Sequence, residues 1–396
     1  MHPGWQGRAV LQLQRLVLTN FRTYGALTWR PAERIAVLFG PNGSGKTNLL
    51  EAVSLLMPGR GLRGARGVEL PRHGTTHWAV AARLLGTDGP FDLGTGTLPD
   101  GASDRRVFRL DGHPPRNQAE IGARVAAVWL TPQMDRLFQD GLSGRRRFLD
   151  RLVWALEPNH AREMAAHDTA VGNRNRLLAE GRADRAWLAG VEDAIARHAV
   201  AATAARATLV ARLNATLQGG VAGAFPAAYV ALTCPIAERL RAAPALEVED
   251  WLRATLADRR GRDGAAGGTS VGAHRTDMAL SDATTGVPAE QASTGEQKSL
   301  LIGVILAHAA LIAQARGFAP LLLLDEPMVH LDPSRRQALF QALPTLPAQI
   351  LLTGTDAETF APLFGQAEGL MTGDGGLTPD PRFLADLSVR SVTRAS

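Results

Sequence analysis

The chain has 396 residues, 45% of them hydrophobic and 20% charged, the balance of a soluble globular protein with one large or two medium domains. Its single cysteine, Cys234, excludes an internal disulfide and a zinc site built on thiolates. The net charge of +5 is carried almost wholly by arginine, since lysine occurs only at 46 and 298; this surplus suits a nucleic-acid partner and equally reflects a GC-rich genome.

The opening stretch MHPGWQGRAVLQLQ has no apolar centre of signal-peptide length, which points to a cytoplasmic protein. LQLQRLVLTNF alternates and then turns apolar, as a strand does, and RIAVLFG (34–40) is a short buried run feeding a glycine loop. TNLLEAVSLLM follows with Leu49, Leu50, Val53 and Leu56 at helical spacing and stops at Pro58-Gly59. HWAVAARLLG and RRVFRLDGHPP read as strands, the second closing on an Asp111-Gly112 turn, and RVAAVWLTP is a further buried strand. From about 144 to 218 alanine, arginine and leucine dominate, with Trp187, Leu188, Val191, Ile195, Ala202, Leu209, Leu213 and Leu217 near a three-four repeat; two or three helices are expected. DRRGRDGAAGG is expected to be a mobile loop. Strand signals return at TSVGAHRTDMALSD, followed by a helix over about 294–315. Its apolar run, LLIGVILAHAALIA (300–313), is short for a bilayer span and carries His308, so a buried core helix is expected. APLLLLDEP, a helix from about 333 and the strand QILLTGT come next, and 371–396 read as loosely ordered. The βα pattern opens, is interrupted by helices and resumes, which implies one α/β domain built from both chain ends around an inserted, mainly helical lobe.

GPNGSGKT, residues Gly40, Pro41, Asn42, Gly43, Ser44, Gly45, Lys46 and Thr47, fits the phosphate-loop pattern at every position. Its glycines let backbone N–H groups curl toward phosphate oxygens, and the following helix adds its positive end. Lys46 is placed to neutralise phosphate charge, and the Thr47 hydroxyl to ligate magnesium. LLLLDEP delivers Asp325 to a sheet edge, where it can hold the same metal, with Glu326 next to it able to orient or deprotonate a water. ASTGEQKSL (292–300) has two capping-box spacings, Ser293 with Glu296 and Thr294 with Gln297, and is read either as a well-capped helix or as a second anion site. Asp332 with Pro333 makes an N-cap and first-turn pair.

Phosphate loop, serine-glycine turn ahead of a long helix, and apolar strand ending Asp-Glu together resemble the ATP-binding cassette superfamily. Four further stretches are similar to the RecF family of bacterial recombinational-repair proteins: LTNFRTYGALTWRPAERIAVLFGPNGSGKTNLLEAV, GRRRFLDRLV (144–153), NRNRLL (173–178) and GAHRTD (272–277). The likeness runs in order along almost the whole chain. It implies an ATP-binding-cassette-type P-loop fold with residues 1–143 carrying Walker A, a β-subdomain and the Q-loop. Residues 144–265 would form the helical lobe, and 266–396 would carry signature, Walker B and D-loop. It implies ATP and magnesium as cofactors and an ATP-dependent homodimer in which Ser293 and Gly295 of one subunit close on the other's nucleotide, with Asp332 and Arg22 also in the site. It implies double-stranded or gapped DNA as partner, cooperation with RecR, RecO and RecA in the DNA-damage response, and slow, DNA-stimulated ATP hydrolysis acting as a switch.

The chain departs from the family at Asp325-Glu326-Pro327, where two aspartates are usual, and in the wording STGEQ. Gln133 in TPQMD occupies the Q-loop position and is read either as a metal and water ligand or as a plain loop glutamine. No histidine follows QILLTGT, so Thr353 or Thr355 would have to serve at the switch position. Arg60, Arg63 and Arg66, and Arg145, Arg146 and Arg147, form two clusters suited to DNA phosphates, or else to ATP or acids of the lobe. Two other readings stand beside this one: the ATPase subunit of a transporter, which Asp-Glu-Pro favours, and a signalling module that binds ATP without turnover.

Overall fold

In the computed structural model the apolar runs become strands of one six-stranded sheet, ordered Gly376–Pro379, Glu368–Gly373, Ile35–Phe39, Ile350–Gly354, Leu321–Leu324, Ala127–Leu130. All neighbours are parallel except the edge strand Gly376–Pro379. Parallel strands are covered on both faces, so they are continuously apolar: Ile35–Phe39, Leu321–Leu324 and Ala127–Leu130 are buried at every position. The structure describes residues 9–98, 106–139, 141–181, 184–220, 223 and 225–384. It divides into two compact units, Met1–Asp135 with Gly220–Phe225 and Thr294–Ser396, and Arg136–Gly219 with Pro226–Ser293.

The first unit adds an antiparallel sheet in the order Tyr24–Trp29, Gln12–Phe21, Ala79–Gly86, Gly89–Gly96, Val107–Leu110. Here one face is apolar, and Leu13, Leu16, Leu18 and Phe21 of Gln12–Phe21 point inward. Asp111 and Gly112 both take positive φ, and the amide and carbonyl of Leu110 pair with those of His113, closing the expected turn. The helix Thr294–Arg316 is 23 residues long, close to the expected 294–315, and by length and composition it could cross a membrane. However, 89% of its most apolar window is buried inside the protein, as a core helix would be. Residues 371–384, expected to be loose, form most of the hairpin of Glu368–Gly373 with Gly376–Pro379. A further turn, Pro381–Phe383, sets Phe383 against Phe39 and Phe364. The remainder of that stretch lies outside the described residues.

The second unit reaches beyond 144–265 at both ends. It holds the helices Leu142–Leu156, His160–Glu180, Arg185–Gln218, Pro235–Leu240, Ala245–Asp258 and Arg260–Ala266, with an antiparallel pair Ala228–Thr233 and Asp277–Asp282. Arg174 pairs with Glu192 and Glu163 with His198, so His160–Glu180 and Arg185–Gln218 run antiparallel. The expected loop at 258–268 is instead helical over Arg260–Ala266. Arg260 binds Glu192 and Asp263 binds Arg174, contacts that outweigh its poor local propensity.

Buried charge organises this unit. Arg174 is fully buried and donates to Glu192 (3.0 Å), Asp263 (2.8 Å), Thr269 Oγ1 (3.0 Å) and the Leu256 carbonyl (2.7 Å). Arg206, also fully buried, donates to both oxygens of Asp150, to the Ala273 carbonyl and to Thr276 Oγ1. Burial opposes the charge on Asp150, but hydrogen bonds from His160 and Arg206 hold its carboxyl below the usual range.

Candidate functional site

The phosphate loop leaves the carboxyl end of Ile35–Phe39 and opens the helix Lys46–Leu55. Gly45 stands at φ +107, and a side chain there would come within 2.8 Å of the Tyr24 hydroxyl, so both conformation and space demand glycine. Lys46 is nearly buried, and its ammonium donates to the carbonyls of Gly40 (2.6 Å) and Pro41 (3.0 Å). Burial pushes the Lys46 pKa down, while the charges of Glu326 and Asp325 oppose that shift.

Adjacent strand ends supply the other groups. Leu321–Leu324 delivers Asp325, whose Oδ1 accepts from Thr47 Oγ1 (2.9 Å) and from Thr353 Oγ1 (2.7 Å), the latter on Ile350–Gly354. Thr353 Oγ1 in turn accepts the Glu326 amide at 2.8 Å. Of the two threonines considered for the switch position, Thr353 is thus built in, whereas Thr355 is exposed and donates to Asp356. Glu326 adopts φ +47, an uncommon conformation for a side-chain-bearing residue. A cleft of about 140 Å³ lined by Glu326, Thr353 and Thr355 opens beside it. These groups converge where open α/β sheets bind ligands, outside the carboxyl ends of parallel strands.

Gln133 is exposed; its neighbour Asp135 is the buried one, paired with Lys298 at 3.2 Å. Sequence reasoning does not select Asp135, and the one signal available is its place in the segment leaving the parallel strand Ala127–Leu130. Asp332 caps Pro333–Ala342 by accepting the Arg335 amide at 2.9 Å. Gly295 lies against the chain's own His330, whose carbonyl would be 2.6 Å from any added side chain. Ser293 is exposed. Arg22 donates from Nε and Nη2 to the two oxygens of the buried Glu51, at 2.8 Å each, and from Nη1 to the Glu69 carbonyl, and Arg63 donates to Asn48 at 2.8 Å. Arg60, Arg63, Arg66 and Arg147 are exposed, and Arg146 is half-buried. Arg145 departs from the DNA-contact expectation: it is nearly buried and forms a bidentate pair with Asp277 at 2.8 and 3.0 Å.

The DNA replication and repair protein RecF of Mesorhizobium japonicum is 44% identical to this chain over 374 residues, covering 94% of this chain and 98% of that protein. The chain belongs to the RecF family. RecF of Agrobacterium fabrum is also 44% identical, covering 93% of this chain and 98% of that protein. Residues 35–169 match the family model described as "AAA domain, putative AbiEii toxin, Type IV TA system". The fold is shared with a structure of the recombination mediator protein RecF-ATPrS in the RecFOR pathway, at TM-score 0.83 and 21% identity, covering 94% of this chain and 99% of the other. An Smc head domain from Pyrococcus furiosus superposes with TM-score 0.51 at 16% identity, covering 94% and 96%. Within this RecF-family chain, GRRRFLDRLV, NRNRLL and GAHRTD supply Arg145 and Asp150, Arg174, and Ala273, Thr276 and Asp277, the partners of the buried ion pairs in the second unit.

Proposed function

We propose that this RecF-family protein binds Mg-ATP at the phosphate loop and uses it as a switch for DNA binding in recombinational repair. The observation that carries the reading is the joining of Thr47, Asp325 and Thr353 through one carboxylate oxygen, beside a buried Lys46. A hydroxyl and a carboxylate are hard oxygen donors of the kind magnesium takes alongside phosphate oxygens, so Thr47 and Asp325 fit as its protein ligands. The metal, when bound, offsets phosphate charge. Lys46 exchanges its loop carbonyls for phosphate oxygens as nucleotide arrives. Glu326 orients the attacking water and takes its proton.

ATP then joins two copies, Ser293 and Gly295 of each meeting the nucleotide of the other, and the pair holds double-stranded or gapped DNA through exposed arginines such as Arg60, Arg66 and Arg147. Hydrolysis releases it. RecR, RecO and RecA are the partners this reading implies, in the cytoplasm. Gln133 completes the metal and water contacts, and Arg22 reaches the nucleotide once freed from Glu51.

Sedimentation with and without ATP and gapped DNA tests the scheme. The wild type is expected to dimerise only with ATP, Lys46→Ala to lose nucleotide binding, and Ser293→Arg to bind ATP yet stay single. A Ser293→Arg protein that dimerises normally removes the cross-subunit role.

A further inference from the structure

Lys298, the only lysine besides Lys46, has a fully buried side chain. Its ammonium donates to Asp135 Oδ2 at 3.2 Å and to the Glu326 carbonyl at 3.1 Å. One cation therefore joins three segments: the second turn of Thr294–Arg316, the turn Pro132–Arg136 and the residue following Asp325. Burial pushes the Lys298 pKa down against the pull of Asp135, so the ion is kept at a cost. Asp135 is not saturated either: its Oδ1 is buried and has no hydrogen-bond partner. A pair meant only as glue is replaceable by apolar packing.

What distinguishes this pair is where it is spent. Glu326 sits at φ +47, and both polar groups of its backbone are tied, the N–H to Thr353 and the carbonyl to Lys298. A residue in that region stays there only when its surroundings over-determine it. We propose that Lys298 is a positioning residue: it holds the Glu326 backbone in the left-handed conformation that aims the carboxylate, and it links that conformation to Asp135 and the TPQMD turn. The inference rests on the reading of Glu326 as the group that positions water for ATP hydrolysis.

The test measures equilibrium ATP binding and single-turnover hydrolysis of bound ATP in the full chain, for wild type, Lys298→Met and Asp135→Asn. Lys298→Met is expected to bind ATP within about threefold of wild type but to hydrolyse it on the order of 100-fold more slowly, since a displacement near 1 Å carries that penalty. Asp135→Asn, which keeps shape and removes charge, is expected to slow hydrolysis about tenfold with affinity unchanged, and it serves where Lys298→Met fails to fold. Reading the rate per bound nucleotide separates positioning from a loss of folded protein. Variants that hydrolyse bound ATP at the wild-type rate overturn the positioning role alone. A wild type that binds ATP and never hydrolyses it overturns the hydrolytic reading, and this inference with it.

Discussion

Replacing Arg145 by alanine separates a structural arginine from a DNA-contacting one. Arg145 and Asp277 meet through two hydrogen bonds of 2.8 and 3.0 Å, with side chains 10% and 24% exposed. The bonds it donates to Asp277 raise the guanidinium pKa above its ordinary value, a sign that folding favours the charged pair. Removing one partner of a fully buried pair costs about 3–5 kcal/mol, and water reaching Asp277 reduces this to about 2–3 kcal/mol. For a unit of this size, that lowers the melting temperature by about 5–10 °C. Arg147 is exposed, so Arg147→Ala should move stability by less than about 0.5 kcal/mol. Its effect should fall on DNA: in anisotropy titrations of a duplex over a salt series, the log–log slope should drop by about 1. Arg145→Ala, measured well below its melting point, should keep the wild-type slope. An Arg145→Ala protein with unchanged melting temperature and a reduced slope would refute the structural assignment.

Thr353→Val keeps the side-chain shape but removes the hydroxyl that binds Asp325 and accepts the Glu326 amide. With that amide unpaired at about 1–3 kcal/mol, hydrolysis of bound ATP should slow by about 10- to 100-fold, and single-turnover rates check it. Burial pushes the Glu368 carboxyl up to about 7 from 4.5, and one of its oxygens is buried without a partner. A raised folded-state pKa means stability present below the unfolded value and lost as pH rises through 7. The full shift would amount to about 3 kcal/mol, and partial exposure reduces it to about 1–2 kcal/mol. Glu368→Gln should therefore gain stability relative to wild type between pH 5 and about 8, read by urea unfolding at each pH; a constant difference across that range would remove Glu368 as the cause.

Strands buried on both faces were legible because nothing but apolar residues suits them: RIAVLFG, APLLLLDEP and QILLTGT each announce a strand. The strand Gly89–Gly96 escaped notice. GPFDLGTG has three glycines and a proline, and it is extended because Ala79–Gly86 and Val107–Leu110 flank it. Arg260–Ala266 reads as a loop for the same kind of reason, since its helix depends on acids 68 and 89 positions from their partners. At the candidate site, the phosphate-loop pattern selects Lys46 and Thr47 and the apolar strand ending in acids selects Asp325, and Thr47 and Asp325 meet at 2.9 Å. Asp135 is not selected, because a single carboxylate after a strand looks the same whether or not a buried ammonium waits opposite it. Gln133, two positions earlier, fits the Q-loop position by sequence but is exposed.

The stretches that made the family recognisable divide by physical role. GPNGSGKT and LLLLDEP meet at strand ends, where the Thr47 hydroxyl donates to Asp325 and Glu326 lines a cleft. GRRRFLDRLV and GAHRTD instead meet each other, directly through Arg145 and Asp277 and by way of Arg206, which binds Asp150, Ala273 and Thr276, while Arg174 of NRNRLL binds Glu192 and Asp263. Each buried arginine there needs several acceptors drawn from segments far apart in the chain, and losing one acceptor leaves a charge in the interior unpaired. Such residues are constrained as a set, without any ligand being involved. A basic motif in this family is therefore read as a DNA contact only after its acids have been counted. By that count Arg145 leaves the candidate surface, while Arg60, Arg66 and Arg147 stay on it.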